Sequence, residues 1–139
     1  MSERMRAWSK NESLEVVVVV GTEHFDNGEF TLHVQGNGNA TVEQKRSGKV
    51  SHFDTKLDAA RLDALGETLA SNGFSNPRTS TLPREPGDTP VVLEVVDGGE
   101  RLFHADIWNA DRYDDKSLAA ILDAAEALIE SMVGAGNYP

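Results

Sequence analysis

Cysteine is absent from this chain. That excludes disulfide staples, thiolate nucleophiles and thiolate-bound metal together. Long apolar runs are absent too. The valine run Val16–Val20 falls far short of the roughly 20 residues a membrane-spanning helix needs, so no membrane partner is expected. Arg4, Arg6 and Lys10 in Met1–Glu15 are not followed by an apolar stretch. No secretory signal is therefore expected, and the expected location is cytoplasmic. Basic residues are scarce in one half only. Residues 85–139 hold three Lys/Arg against twelve Asp/Glu, whereas residues 1–84 hold ten against eleven.

That asymmetry decides more than the net charge of −10. Phosphates would be repelled by the C-terminal half, so nucleic acid is not an expected partner. A basic protein would be drawn to it. The plainer explanation of such acidity is solubility. A length of 139 residues with 39% hydrophobic and 26% charged residues fits one globular domain with one core.

The region from Thr89 to Asp106 sets out the architecture. Val91, Leu93 and Val95 fall on one face of an extended strand, and Phe103, Ala105 and Ile107 on one face of the next. Asp97-Gly98-Gly99 between them supplies the positive-φ residues of a hairpin turn. A helix follows, with Leu118, Ile121, Leu122, Ala125, Leu128, Ile129 and Met132 at 3- and 4-residue spacing. Asp114 or Asp115 is its expected cap and Gly134 its terminator.

The N-terminal half follows the same plan. Residues 1–13 read as a flexible lead-in, with Trp8 more readily part of a loose tail than docked. The strand from Leu14 to about Thr22 shows no alternation, which predicts a central strand covered on both faces. Phe25–Gly28 predicts a turn, Phe30, Leu32 and Val34 a half-buried strand, and Asn37-Gly38 a hairpin tip leading to Ala40 and Val42. Ser47-Gly48 marks a further turn before a strand over 50–55. A helix capped by Asp58, with Leu57 stapled to Leu62, presents Leu62, Leu65 and Leu69. Gly66 on that face predicts close approach to the sheet, and Gly73-Phe74 predicts a Schellman ending. Ser75–Pro90 carries four prolines and reads as a long loop.

The fold expected is therefore α+β: a mainly antiparallel sheet of five or six strands with two helices on one face, a hairpin–helix unit used twice. The domain is expected over residues 14–134, with 135–139 frayed.

Three His-X-Asp triplets raise metal binding: His24/Asp26, His52/Asp54 and His104/Asp106. Residues two apart on a strand point the same way, and imidazole with carboxylate holds zinc, iron or manganese. Solvent-facing His and Asp are common at strand ends, and no close-range His-Glu-X-X-His pair is present, so no metal or other cofactor is expected. Gly36–Asn39 lacks the lysine and the following helix of a phosphate loop, and Asn109–Asp114 lacks the central glycine of a calcium loop. No nucleophile elbow is present either, so catalysis is the minority reading.

The best candidate site is the acidic aromatic segment, Asp106, Trp108, Asp111, Tyr113, Asp114 and Asp115. Trp and Tyr are rigid amphipathic anchors favoured at protein interfaces. The competing reading puts Trp108 in the core with the aspartates in water.

The Phe30–Val34 strand with its Gly36–Asn39 tip, the Leu57–Phe74 helix, the Pro-rich loop, the Val91–Ile107 hairpin and the closing helix together resemble small bacterial domains of the emfourin type, which inhibit metallopeptidases. The likeness covers roughly residues 28–133 and is architectural. The Val16–Val20 strand departs from the pattern, and no functional position carries over. The resemblance implies a non-catalytic module acting by protein binding. The functional expectation is thus a protein-binding module, in one form an inhibitor. An immunity protein neutralising a basic toxin is the nearest alternative, and a metal-dependent enzyme using the His-X-Asp groups the alternative from another class.

Overall fold

The computed structural model describes residues 2–21, 28–74 and 89–134. Among them six strands form one wholly antiparallel sheet: β1 (Leu14–Gly21), β2 (Glu29–Gln35), β3 (Asn39–Arg46), β4 (Lys49–Lys56), β5 (Pro90–Asp97) and β6 (Glu100–Trp108). Their spatial order is β4-β3-β2-β1-β5-β6. The first four make a meander. The chain then crosses back through helix α2 (Ala59–Ser71), and β5 pairs with the free side of β1. The second unit is the expected hairpin and helix, with α3 spanning Lys116–Val133. The first unit is built on four strands.

The turns follow from local chemistry. Ser47 and Gly48 both take positive φ, 50° and 78°, and Gly98 and Gly99 take 60° and 86°. Both turns are two-residue connections of the kind that matches strand twist. Asp58 caps α2 by accepting from the Arg61 amide at 2.8 Å, and Leu57 and Leu62 are both buried. At the other end Gly73 has φ 68°, Phe74 N donates to the Leu69 carbonyl and Gly73 N to the Ala70 carbonyl. This is the Schellman pair. Asp115 caps α3 through the amides of Ser117 and Leu118.

One face of the sheet is sealed. Val16, Val18 and Val20 line up with Val34, Leu32 and Phe30 on β2, while Val16 and Val18 meet Val95 and Leu93 on β5. All are buried with Leu62, Leu69, Leu118, Ile121, Leu122 and Ile129 from the helices. Fully burying each such side chain contributes about 1.5–3 kcal/mol. Among the described residues no buried side-chain nitrogen or oxygen lacks a partner.

Three expectations are corrected. The valine strand is central, but its burial alternates strictly, and among the described residues the helices cover one of its faces. β-Branched residues suit a strand whichever way they face, so the composition of the run did not report its burial. The lead-in is also part of the body. Ser2–Arg6 forms a short helix α1 and Trp8–Lys10 a 3₁₀ turn. Met5 and Trp8 lie in the core at 1% and 0% exposure, and the Trp8 indole donates to the Leu14 carbonyl at 2.8 Å. Ser9 ties this segment to α2, its amide and hydroxyl each donating to Asp63 at 2.8 Å. Those two bonds hold the Asp63 carboxyl below its ordinary pKa, the amide having the larger effect.

Gly66 is the third correction. A β-carbon there would sit 1.8 Å from the Met5 carbonyl oxygen. The close approach is to the backbone of the N-terminal segment, not to the sheet. The turn Phe25–Gly28 falls mostly outside the described residues, with Gly28 at φ 83° its described end. The Pro-rich loop up to Asp88, and residues 135–139, also lie outside them.

Candidate functional site

The described helices gather on one side, so the other face of the sheet, the bare face, is covered by no described helix. Its side chains are those alternating with the core. At the centre Val17 stands between His33 and Glu94, Val19 between Thr31 and Val92, and Glu15 between Gln35 and Val96. The four valines 17, 19, 92 and 96 are half-buried. They form an apolar strip over two neighbouring strands, with polar groups to either side. On the β2 side Glu15 receives His33 Nε2 at 3.3 Å and the Gln35 amide at 3.1 Å.

The β6 side carries the sharper arrangement. Glu94 on β5 is paired with His104, and Val92 with Asp106. His104 Nδ1 lies 2.6 Å from Glu94 Oε1, and its Nε2 2.9 Å from Asp106 Oδ2. Ionised carboxylates only accept, so this geometry favours a proton on each ring nitrogen, although Arg101 Nη1 also comes within 3.4 Å of Nδ1. The pKa of His104 is raised accordingly, first by the bond to Asp106 and then by that to Glu94. Arg101 Nη1 shares the Glu94 oxygen at 3.3 Å.

This geometry bears directly on the His-X-Asp triplets. His104 and Asp106 do converge, but a metal needs an unprotonated ring nitrogen, and both are turned to carboxylates. His52 and Asp54 lie exposed on the same face of β4. His24 and Asp26 are outside the described residues. Among the described residues no group of three or more His, Asp or Glu is placed to hold a metal ion.

The acidic aromatic segment divides into two kinds of residue. Trp108 ends β6 on the bare face, opposite Pro90, and is half-buried. Tyr113 is 79% exposed. Neither is sunk in the core. Asp106 and Asp114 are exposed. Asp111 and Asp115, in contrast, serve the backbone. Asp111 is buried and accepts from the Trp108 amide at 3.0 Å, fixing the 3₁₀ turn Asn109–Tyr113, while Asp115 caps α3. Within the same turn Arg112 reaches Asn109, Asp123 and Glu126 and so clamps it to α3. Burial alone would lower the Arg112 pKa, and the Glu126 and Asp123 carboxylates more than offset it.

Sequence reading missed Glu94 as the third member of the His104 cluster. A parity signal was present. A regular two-residue turn at Gly98-Gly99 sets Val95 opposite Leu102, yet the inward pattern needs Val95 opposite Phe103. One extra residue must be accommodated, and the structure shows that register shift, with Leu102 left out of the pairing. The shift places His104 across from Glu94.

No family model and no curated protein matches this chain. No helix among the described residues is long and apolar enough to cross a membrane.

Proposed function

We propose that this protein is a non-catalytic binding module that docks a protein partner on the bare face of its sheet. The observation that carries the reading is the valine strip 17, 19, 92 and 96, half-buried on a face that no described helix covers, on a sheet whose other face is sealed. Contiguous exposed apolar surface rimmed by polar groups marks interaction sites. Trp108 stands at a corner of this face as an aromatic anchor, with Asp106, shared with His104, on the same strand and the exposed Asp114 in the turn that follows. A partner with a basic rim around an apolar centre fits this surface. Inhibition of a metallopeptidase, the activity of the domains it architecturally resembles, and neutralisation of a basic toxin are two uses of the same face. No chemical step is assigned to His104, because both its nitrogens are engaged by carboxylates.

The test compares wild type with Trp108→Ala and with a Val19→Ser/Val92→Ser double variant, each immobilised and exposed to extract of the native cell. Wild type should retain a basic protein at low salt and release much of it as salt rises. The variants should retain far less while keeping the wild-type circular dichroism. Equal retention by all three, or retention insensitive to both salt and substitution, would sink the reading.

A further inference from the structure

The two edges of the sheet differ in how they are protected. Exposed edges present unpaired backbone groups, and proteins blunt them with bulges, charge or cover. β6 has such devices: the register shift at Leu102 and the Glu94–His104–Asp106 cluster on its flank. β4 carries charge in Lys49, Asp54 and Lys56, but its pairing with β3 runs without a shift from Arg46–Lys49 to Asn39–Lys56. No proline or glycine interrupts it, and no described strand pairs with its outer side.

Backbone alternation fixes what that edge offers. The pair closing a two-residue turn is hydrogen-bonded, so Lys49, Ser51, Phe53 and Thr55 turn their backbone groups towards β3. Those of Val50, His52, Asp54 and Lys56 point outward. Val50 adds an apolar side chain 51% exposed.

Charge selects the occupant. Residues 39–56 hold four Lys/Arg (Lys45, Arg46, Lys49, Lys56) against Glu43 and Asp54, in a chain whose net charge is −10. An acidic segment is repelled by most of this molecule and attracted here. A second copy fits less well, because antiparallel pairing of two β4 edges would set Lys49 near the Lys56 of its twin. We propose that the outer edge of β4 takes an extended acidic segment of a partner protein as a seventh strand, by backbone pairing. This surface is separate from the valine strip and does not rest on it.

The experiment titrates the isotope-labelled full chain with a peptide of about eight residues alternating glutamate and valine, and with its lysine–valine counterpart. The acidic peptide should shift the amide resonances of Val50, His52, Asp54 and Lys56 and slow their hydrogen exchange, and the effect should weaken with salt. His52→Pro removes one outward donor and leaves the ladder to β3 intact. It should weaken binding about tenfold, the effect of one lost hydrogen bond. Should that variant fail to fold, Lys49→Glu/Lys56→Glu decides instead, since it should reverse the preference between the peptides. The proposal is overturned if the β4 amides stay unmoved, if the lysine peptide binds as well as the acidic one, or if the shifts fall on Val19 and Val92.

Discussion

Val17 and Val18 are neighbours in one strand, carry the same side chain and meet opposite fates. Val18 is 1% exposed against the helices, while Val17 looks out from a face no described helix covers. The sealed face is held by apolar contact with α2, α3 and the N-terminal segment, and its groups are satisfied internally. The bare face shows the same valines in a setting where they contribute less to stability and are open to a partner. The comparison teaches that residue type records the strand, whereas fate is decided by what packs on it.

The hardest blow to the sealed side should come from Trp8→Ala. Emptying a fully buried tryptophan site costs about 3–5 kcal/mol, read as a lower urea midpoint at unchanged slope. A loss under about 1 kcal/mol would mean that the N-terminal segment is no part of the core. The next contrast is within β1. Val18→Ala should cost about 2 kcal/mol and Val17→Ala about 0.5 kcal/mol, and equal costs would erase the distinction between the faces.

The smallest effect belongs to His104 on the bare side. Its pKa is raised above the ordinary 6.5, so the folded chain binds the proton more tightly than the unfolded one. The resulting stabilisation is complete below the unfolded value and lost as pH rises through the folded one. Urea titrations of wild type and His104→Gln from about pH 5 to about pH 9 should show a wild-type advantage that shrinks with rising pH. A pH-independent difference would count against the imidazolium.

Elements governed by local rules were legible. The Asp58 cap, the Gly73-Phe74 ending, the turns at Ser47-Gly48 and Gly98-Gly99 and the stripe of α3 each follow from a few adjacent residues, and each is in the structure. The place of the lead-in was not legible, because its contacts are distant: Ser9 meets Asp63, Arg4 meets Asp97 at 2.7 Å, and Arg6 meets Glu67. Met5 and Trp8, one helical turn apart in a polar stretch, were the trace it left. Within the candidate site the sequence left open whether Trp108 is core or surface, and the structure makes it half-buried beside an exposed Tyr113. The Asp115 cap was one of two the sequence allowed, whereas the bond from the Trp108 amide to Asp111 was not legible, since it depends on which backbone amide the turn brings within reach.

Gly66 and Gly36 carry a consequence for how the chain assembles. Each brings its backbone against residues 5–12, where a β-carbon would collide with a carbonyl oxygen. The seat of the first dozen residues is thus made of parts synthesised much later, the β2–β3 tip and α2. During synthesis that opening stretch must wait, with Trp8 unsheltered, until some sixty residues have emerged. Its docking closes a long loop against chain entropy, the sort of step that slows folding.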